Sequence, residues 1–265
     1  MNADSGALLG VWAHPDDEAY LSAGLMAQAR GAGRRVVVVT ATRGEHGTDD
    51  PRTWPADRLA HLREAELAES LRVVGVDEHV WLGYADGGLA RAERRLAVSS
   101  LQRVIENVAP GTIVTFGPDG MTGHDDHRTI SSWVTEAWRR SGRRAALWYA
   151  TLTPEFHAAW GPLNDRVGLW CEGTQPPVTP RRHLVAEVVC TGTLGDLKHR
   201  ALRAHASQTR PLEELVGAET YRRWWSTESF VAAEAPVSRS SATVDAGRRG
   251  STYADRHALR PPASA

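Results

Sequence analysis

Two short runs hold most of the side chains able to do chemistry, His14-Pro15-Asp16-Asp17-Glu18 and His124-Asp125-Asp126-His127. In each, two metal-binding residues stand three positions apart, His14 with Asp17 and His124 with His127, a separation that brings side chains to one face of a helical turn. Two such pairs can converge on one ion. A catalytic zinc takes three protein ligands, drawn from imidazole nitrogen and carboxylate oxygen, and keeps one position for water. His14, Asp17 and His127 would supply that shell, for one Zn2+ per chain. Asp16 then stays uncommitted beside the metal, where a carboxylate can accept a proton from water attacking a carbonyl. His124 is an imidazole able to steady an oxyanion or to protonate a departing nitrogen, and Asp126 can orient one of the histidines from behind. Taken singly these residues are ordinary: a lone histidine is more often a satisfied core or surface residue, and an acidic run at a helix start is usually a favourable charge cluster. Only their meeting in one place carries the chemistry.

The surrounding elements say where they meet. The apolar residues 7–13 do not alternate and read as a strand buried on both faces. That strand ends at the first motif, where Pro15 suits the first turn of a helix and the carboxylates suit its positive end, so a helix follows over about residues 17–30 and Gly31 and Gly33 stop it. The β-branched residues 36–40 give a second buried strand, and the loop 42–55 is long enough to be functional. Leu59, Leu62, Leu67 and Leu71 recur at near-helical spacing, residues 79–82 supply a third strand, a helix spans about 91–108, and residues 112–116 form a fourth strand. The alternation implies a doubly wound, Rossmann-like α/β fold: a parallel sheet with right-handed crossovers and helices on both faces. In the strand order 3-2-1-4-5 the first and fourth strands are neighbours, and ligands bind beyond their carboxyl ends. Both motifs directly follow those two strands and are expected face to face.

After residue 150 the alternation weakens, with a Pro-rich stretch over 173–180, a strand over 184–190 and a helix over about 194–206. These read as a C-terminal extension of one domain, residues 1–234, while residues 235–265, rich in Ser, Ala, Arg and Gly, read as a largely disordered tail.

With 31 basic and 32 acidic side chains, no overall field draws the chain to nucleic acid or to an anionic membrane, and a small substrate of low charge fits better. Two cysteines, Cys171 and Cys190, are too few for a disulfide scaffold or a thiolate metal site. The N-terminus lacks the basic start of a secretory signal and the first apolar run is too short to span a bilayer, so the chain is expected to be soluble and cytoplasmic. A homo-oligomer is compatible with the sequence. Of the ten tryptophans, Trp54 in the long loop is a candidate platform for a sugar ring, while Trp12, Trp81, Trp133 and Trp138 are expected in the core.

Ala13-His14-Pro15-Asp16-Asp17-Glu18 and Gly123-His124-Asp125-Asp126-His127 resemble the two signature motifs of the LmbE-like (PIG-L) family of zinc-dependent N-acetylglucosaminyl de-N-acetylases. The resemblance runs from about residue 7 to about residue 210. It implies the family's fold and an amide hydrolase that frees the nitrogen of an N-acetylated amino sugar conjugate or similar small molecule. Matched by motif position, it makes His14, Asp17 and His127 the zinc ligands, Asp16 the general base and His124 the oxyanion-stabilising histidine. Thr42-Arg43-Gly44-Glu45 is similar to a family segment whose arginine reaches the substrate, and Asp86, within residues 83–88, resembles a substrate-contacting aspartate. Lys198 with His205-Ala206-Ser207-Gln208 resembles a C-terminal family pattern and is read as packing. One departure is Thr122, which stands where the mycothiol branch has a tyrosine; this weakens an assignment to that pathway.

Two rivals remain. A nucleotide-binding module would want G-x-G-x-x-G at the first turn, where this chain offers carboxylates that repel phosphate. A metal-carrying protein without turnover would have no need of the uncommitted Asp16.

Overall fold

The computed structural model describes residues 6–233, and the expected tail at 235–265 lies outside them. The chain runs through β1 (Ala7–Trp12), α1 (Asp17–Gly31), β2 (Val36–Thr40), α2 (Ala56–Val73), β3 (Glu78–Trp81), α3 (Arg94–Val108), β4 (Pro110–Phe116), α4 (Asp125–Arg140) and β5 (Ala146–Thr151). These five strands pair in parallel in the order β3-β2-β1-β4-β5, so β1 and β4 are neighbours as expected. The winding reverses between them, which puts α1 and α2 on one face and α3 and α4 on the other. Every residue of β2, and of β1 beyond Ala7, is buried, as their unbroken apolar runs require.

The second half of the chain adds α5 (Pro154–Val167), β6 (Leu184–Val189), α6 (Gly192–Ala204), α7 (Ala206–Val216), α8 (Ala218–Trp224) and β7 (Thr227–Ala232). Here the sheet departs from an all-parallel one. β7 lies antiparallel to both β5 and β6, giving a mixed seven-stranded sheet in the order β3-β2-β1-β4-β5-β7-β6. β7 escaped the sequence reading because Thr227-Glu228-Ser229-Phe230 alternates weakly and its glutamate is buried. Trp12, Trp133 and Trp138 are core residues, whereas Trp81 is only half-buried because β3 is the sheet's edge strand. Among the described residues no helix is long and apolar enough to cross a membrane.

A buried ion pair locks the C-terminal half onto α1. Lys198 Nζ donates to the carbonyls of Ala19 (3.1 Å) and Tyr20 (2.7 Å), Glu228 accepts from the backbone N–H groups of Gly24 (2.7 Å) and Leu25 (2.8 Å), and the two side chains meet at 2.6 Å. A regular helix pairs the N–H of residue 24 with the carbonyl of residue 20, so the ion pair sits across that step. Residue 24 must be small: a Cβ there would lie 2.3 Å from Cys190 Sγ. Lys198 thus serves packing, and through α1 it braces the first motif. Lys198→Met is expected to leave the Glu228 carboxylate buried and uncompensated and to cost about 3–5 kcal/mol of stability. A urea midpoint unchanged in the variant would show that the pair is dispensable, whereas Lys198→Met with Glu228→Leu should recover part of the loss.

Candidate active site

Both motifs sit where the strands deliver them, at the carboxyl ends of β1 and β4. Trp12 closes β1 and packs edge-on against Phe116 at the end of β4, ring centroids 5.0 Å apart. Phe116 in turn stacks flat on His127, at 4.1 Å and 10° between planes. The core thereby fixes the plane of one candidate ligand ring. His127 Nδ1 donates to the Gly120 carbonyl at 3.0 Å, which leaves the lone pair of Nε2 facing the cluster.

His14 is held from its other side. Its Nε2 lies 3.0 Å from Asp86 Oδ1 and 3.4 Å from Asp126 Oδ2, two carboxylates that draw the proton there. Nδ1 then faces His127 Nε2 at 3.1 Å and Asp17 Oδ2 at 3.7 Å, while His127 Nε2 stands 3.4 Å from Asp17 Oδ1. A tetrahedral shell with bonds of about 2.0–2.1 Å has edges of about 3.3 Å. The three separations, those to Asp17 made by its two different oxygens, bracket that length, so two imidazole nitrogens and the Asp17 carboxylate fit a divalent cation as donors. His14, Asp86 and Asp126 also lie close together, as do His14, His124 and His127; in the first set, however, the carboxylates face the nitrogen that points away from Asp17 and His127.

The electrostatics agree with this division. Burial opposes charge on His14, but the hydrogen bonds to Asp126 and Asp86 and the field of Asp17 outweigh it and hold the imidazolium up to about 10. A proton there balances the carboxylates as a cation would. Burial, together with the neighbouring His14, pushes His127 well below its ordinary value and keeps it neutral. Burial also lifts the Asp17 carboxyl to about 7.

Asp16 stands beside this group with a backbone φ of 116°, a strained conformation for a residue with a Cβ. Two side chains hold it there. Glu18 accepts its N–H at 3.0 Å, Arg63 bonds its carboxylate at 3.1 Å, and Arg63 also donates to the carbonyl of Pro15 and, at 2.9 Å, to that of Gly44. Glu18 is fully buried and receives Ser70 Oγ and His205 Nε2, each at 2.7 Å. Burial raises the Asp16 carboxyl above its ordinary range, against the pull of Arg63.

His124 caps α4: its Nδ1 accepts the N–H of Asp126 at 3.2 Å, which assigns the ring proton to Nε2. Burial lowers its pKa, with the charge on His14 adding to the effect. Gly123 before it adopts φ +83°, and a Cβ there would meet Thr174 Cγ2 at 2.3 Å. Asp126 does more than touch His14. Its carboxylate also accepts the N–H groups of Gly87 (2.8 Å) and Leu89 (3.1 Å), tying the loop after β3 to the second motif.

These residues line a cavity of about 390 Å³ that includes His14, Asp16, Asp17, Asp86, His124 and His127. Arg43 is not on its wall: the guanidinium pairs with Glu64 and lies 5.3 Å from the Trp81 ring centroid. Trp54 is likewise elsewhere, covered by Arg58 at 4.7 Å. Arg63 and Trp225 line the cavity instead. The signal for Arg63 was present in the sequence, because it interrupts the buried stripe Leu59, Leu67, Leu71 of α2 at the i+4 position. Trp225 had none, since only the chain's return brings it to α1. Asp86 is on the wall, but its two oxygens are engaged by His14 and by the His46 N–H at 2.9 Å.

Residues 9–138 match the family PIG-L, GlcNAc-PI de-N-acetylase. The chain is 32% identical to a 1D-myo-inositol 2-acetamido-2-deoxy-alpha-D-glucopyranoside deacetylase of Streptomyces griseus, with 76% of this chain and 74% of that protein covered. It is 33% identical to the enzyme of the same name from Saccharomonospora viridis, with 76% and 84% covered. In structure it is similar to the N,N'-diacetylchitobiose deacetylase of Pyrococcus horikoshii, at a TM-score of 0.59 and 22% identity over 85% of this chain and 83% of that one; this likeness speaks to the fold. With relatives of that identity spanned over more than two thirds of their length, and with both motifs inside the matched residues, the chain belongs to the PIG-L family of de-N-acetylases.

Proposed function

We propose that this chain is a zinc-dependent hydrolase that splits the N-acyl amide of an amino sugar conjugate, acetyl in the first instance, into a carboxylic acid and a free amine. What carries the reading is the convergence of His14 Nδ1, His127 Nε2 and Asp17 at near-tetrahedral spacing on a cavity wall that also holds a carboxylate outside that set, Asp16, paired with Arg63. His14, Asp17 and His127 would hold the cation, and Asp126 and Asp86 would keep the His14 ring turned toward it. When bound, the ion supplies Lewis acidity toward the amide carbonyl and the attacking water.

The chain's own groups account for the proton movements. Asp16, its carboxyl raised by burial, takes the proton of the water as the water adds to the carbonyl carbon. Arg63 and Glu18 fix its position, so no reorganisation is needed as charge moves. The His124 Nε2–H is available to the carbonyl oxygen as negative charge develops there. The nitrogen then leaves with a proton returned from Asp16. The His46 ring and the Gln208 carbonyl oxygen, which share the wall, are available to the hydroxyls of a sugar.

The non-catalytic alternative is separated by one residue. Titration with Zn2+ is expected to show one site per chain by calorimetry, retained in Asp16→Asn and lost in His14→Ala and His127→Ala; binding that survived both histidine substitutions would exclude this ligand set. In Asp16→Asn, amine release from N-acetylglucosaminyl substrates should fall roughly 10²-fold or more with the metal still bound, and turnover at the original rate would exclude Asp16 as the base.

A further inference from the structure

We infer that the natural substrate carries an apolar group attached to its amino sugar, and that the apolar wall of the cavity, built from both halves of the chain, receives it; this rests on the deacylase reading above. The cavity lining is of two unlike kinds. The polar floor consists of His14, Asp16, Asp17, Asp86, His124 and His127. The apolar wall consists of Tyr20 and Leu21 of α1, Met121, Leu169 after α5, Leu212 of α7 and Trp225 after α8.

This second wall offers a bound hydroxyl almost nothing. Leu21, Met121, Leu169 and Leu212 carry no hydrogen-bond donor, and the unpartnered indole N–H of Trp225 is itself buried. Tyr20 has one, but its hydroxyl is engaged by that of Tyr221 at 2.8 Å, and its ring packs on Trp225 with centroids 4.6 Å apart. Gln208, one helical turn before Leu212, spends its amide N–H groups on the Gly47 carbonyl and Ser207 Oγ. A polyol ring pressed here, such as the inositol in the names of the two bacterial relatives, would bury hydroxyls without partners, which is unfavourable. An aryl or alkyl group would instead remove apolar surface from water on both sides of the contact.

The two walls also differ in origin. Every residue of the polar floor lies within the stretch matched to the family, residues 9–138, whereas Leu169, Leu212 and Trp225 lie beyond it. The reacting residues lie wholly inside the family match, and the apolar lining is drawn equally from inside it, with Tyr20, Leu21 and Met121, and from beyond it, with Leu169, Leu212 and Trp225.

The apolar group can sit on either side of the amide, as a longer acyl chain or as an aglycone, and the test separates the two. Amine release is measured for N-acetylglucosamine, its phenyl glycoside, N-octanoylglucosamine and the inositol glycoside. At least one of the two apolar substrates is expected to exceed N-acetylglucosamine in kcat/KM by roughly tenfold or more, with the inositol glycoside below it; phenyl preference assigns the wall to the aglycone and octanoyl preference to the acyl chain. Leu212→Asn, checked for an unchanged melting temperature, should narrow that ratio. Binding of the amine products is measured in parallel by calorimetry, phenyl glucosaminide against glucosamine. Tight phenyl glucosaminide binding without amine release from any substrate would sink the deacylase reading and leave the apolar site standing. Equal kcat/KM for all four substrates together with equal product binding would overturn the inference.

Discussion

Two imidazole lone pairs and a carboxylate aimed at one point repel each other unless a positive charge lies between them. Most of the architecture around the site answers that constraint. His14 Nδ1 and His127 Nε2 stand 3.1 Å apart with Asp17 beside both, and each ring is kept from turning away by a bond on its far nitrogen. Phe116 stacks on one ring, and Asp86 and Asp126 hold the other. The raised pKa of His14 and the lowered pKa of His127 are two readings of the same frustration: one proton is shared by groups that a cation of higher charge would also satisfy.

Holding such a cluster takes support from the whole chain. The strained backbone at Asp16 is clamped by Arg63 from α2 and by Glu18, whose charge is matched by His205 between α6 and α7. α1 is gripped at mid-length by Lys198 and Glu228, from α6 and β7. The added antiparallel strands are therefore part of what positions the first motif. Strain of this kind persists only where surrounding contacts over-determine it, and here those contacts come from residues more than 180 positions away as well as from near neighbours.

The same division separates reaction from recognition. The polar floor is set mainly by two strand ends and the helix starts that follow them, a local arrangement at a topological switch point, with Asp86 added from the loop after β3. The apolar wall is assembled from α1, α7, the loop after β4 and the segments after α5 and α8, which no local pattern relates to one another. A chain can keep the first and vary the second, which is how one fold serves several substrates.

The residues alone determined which side chains are of types able to ligate a metal, their three-residue spacing, and the adjacency of β1 and β4, because a β-α-β alternation with right-handed crossovers admits few sheet orders. They also marked Asp16 as the carboxylate left over. What only the tertiary structure decided is where long side chains from distant elements end up. Arg43, in a promising loop, is diverted to Glu64 and Trp81, whereas Arg63, on the buried stripe of α2, reaches Asp16. Asp126, read as an orienting residue, also ties down the loop after β3. β7, Glu228 and Trp225 enter through contacts spanning most of the chain, and sequence periodicity, which reports only which face of an element is buried, carries no record of what that face is buried against.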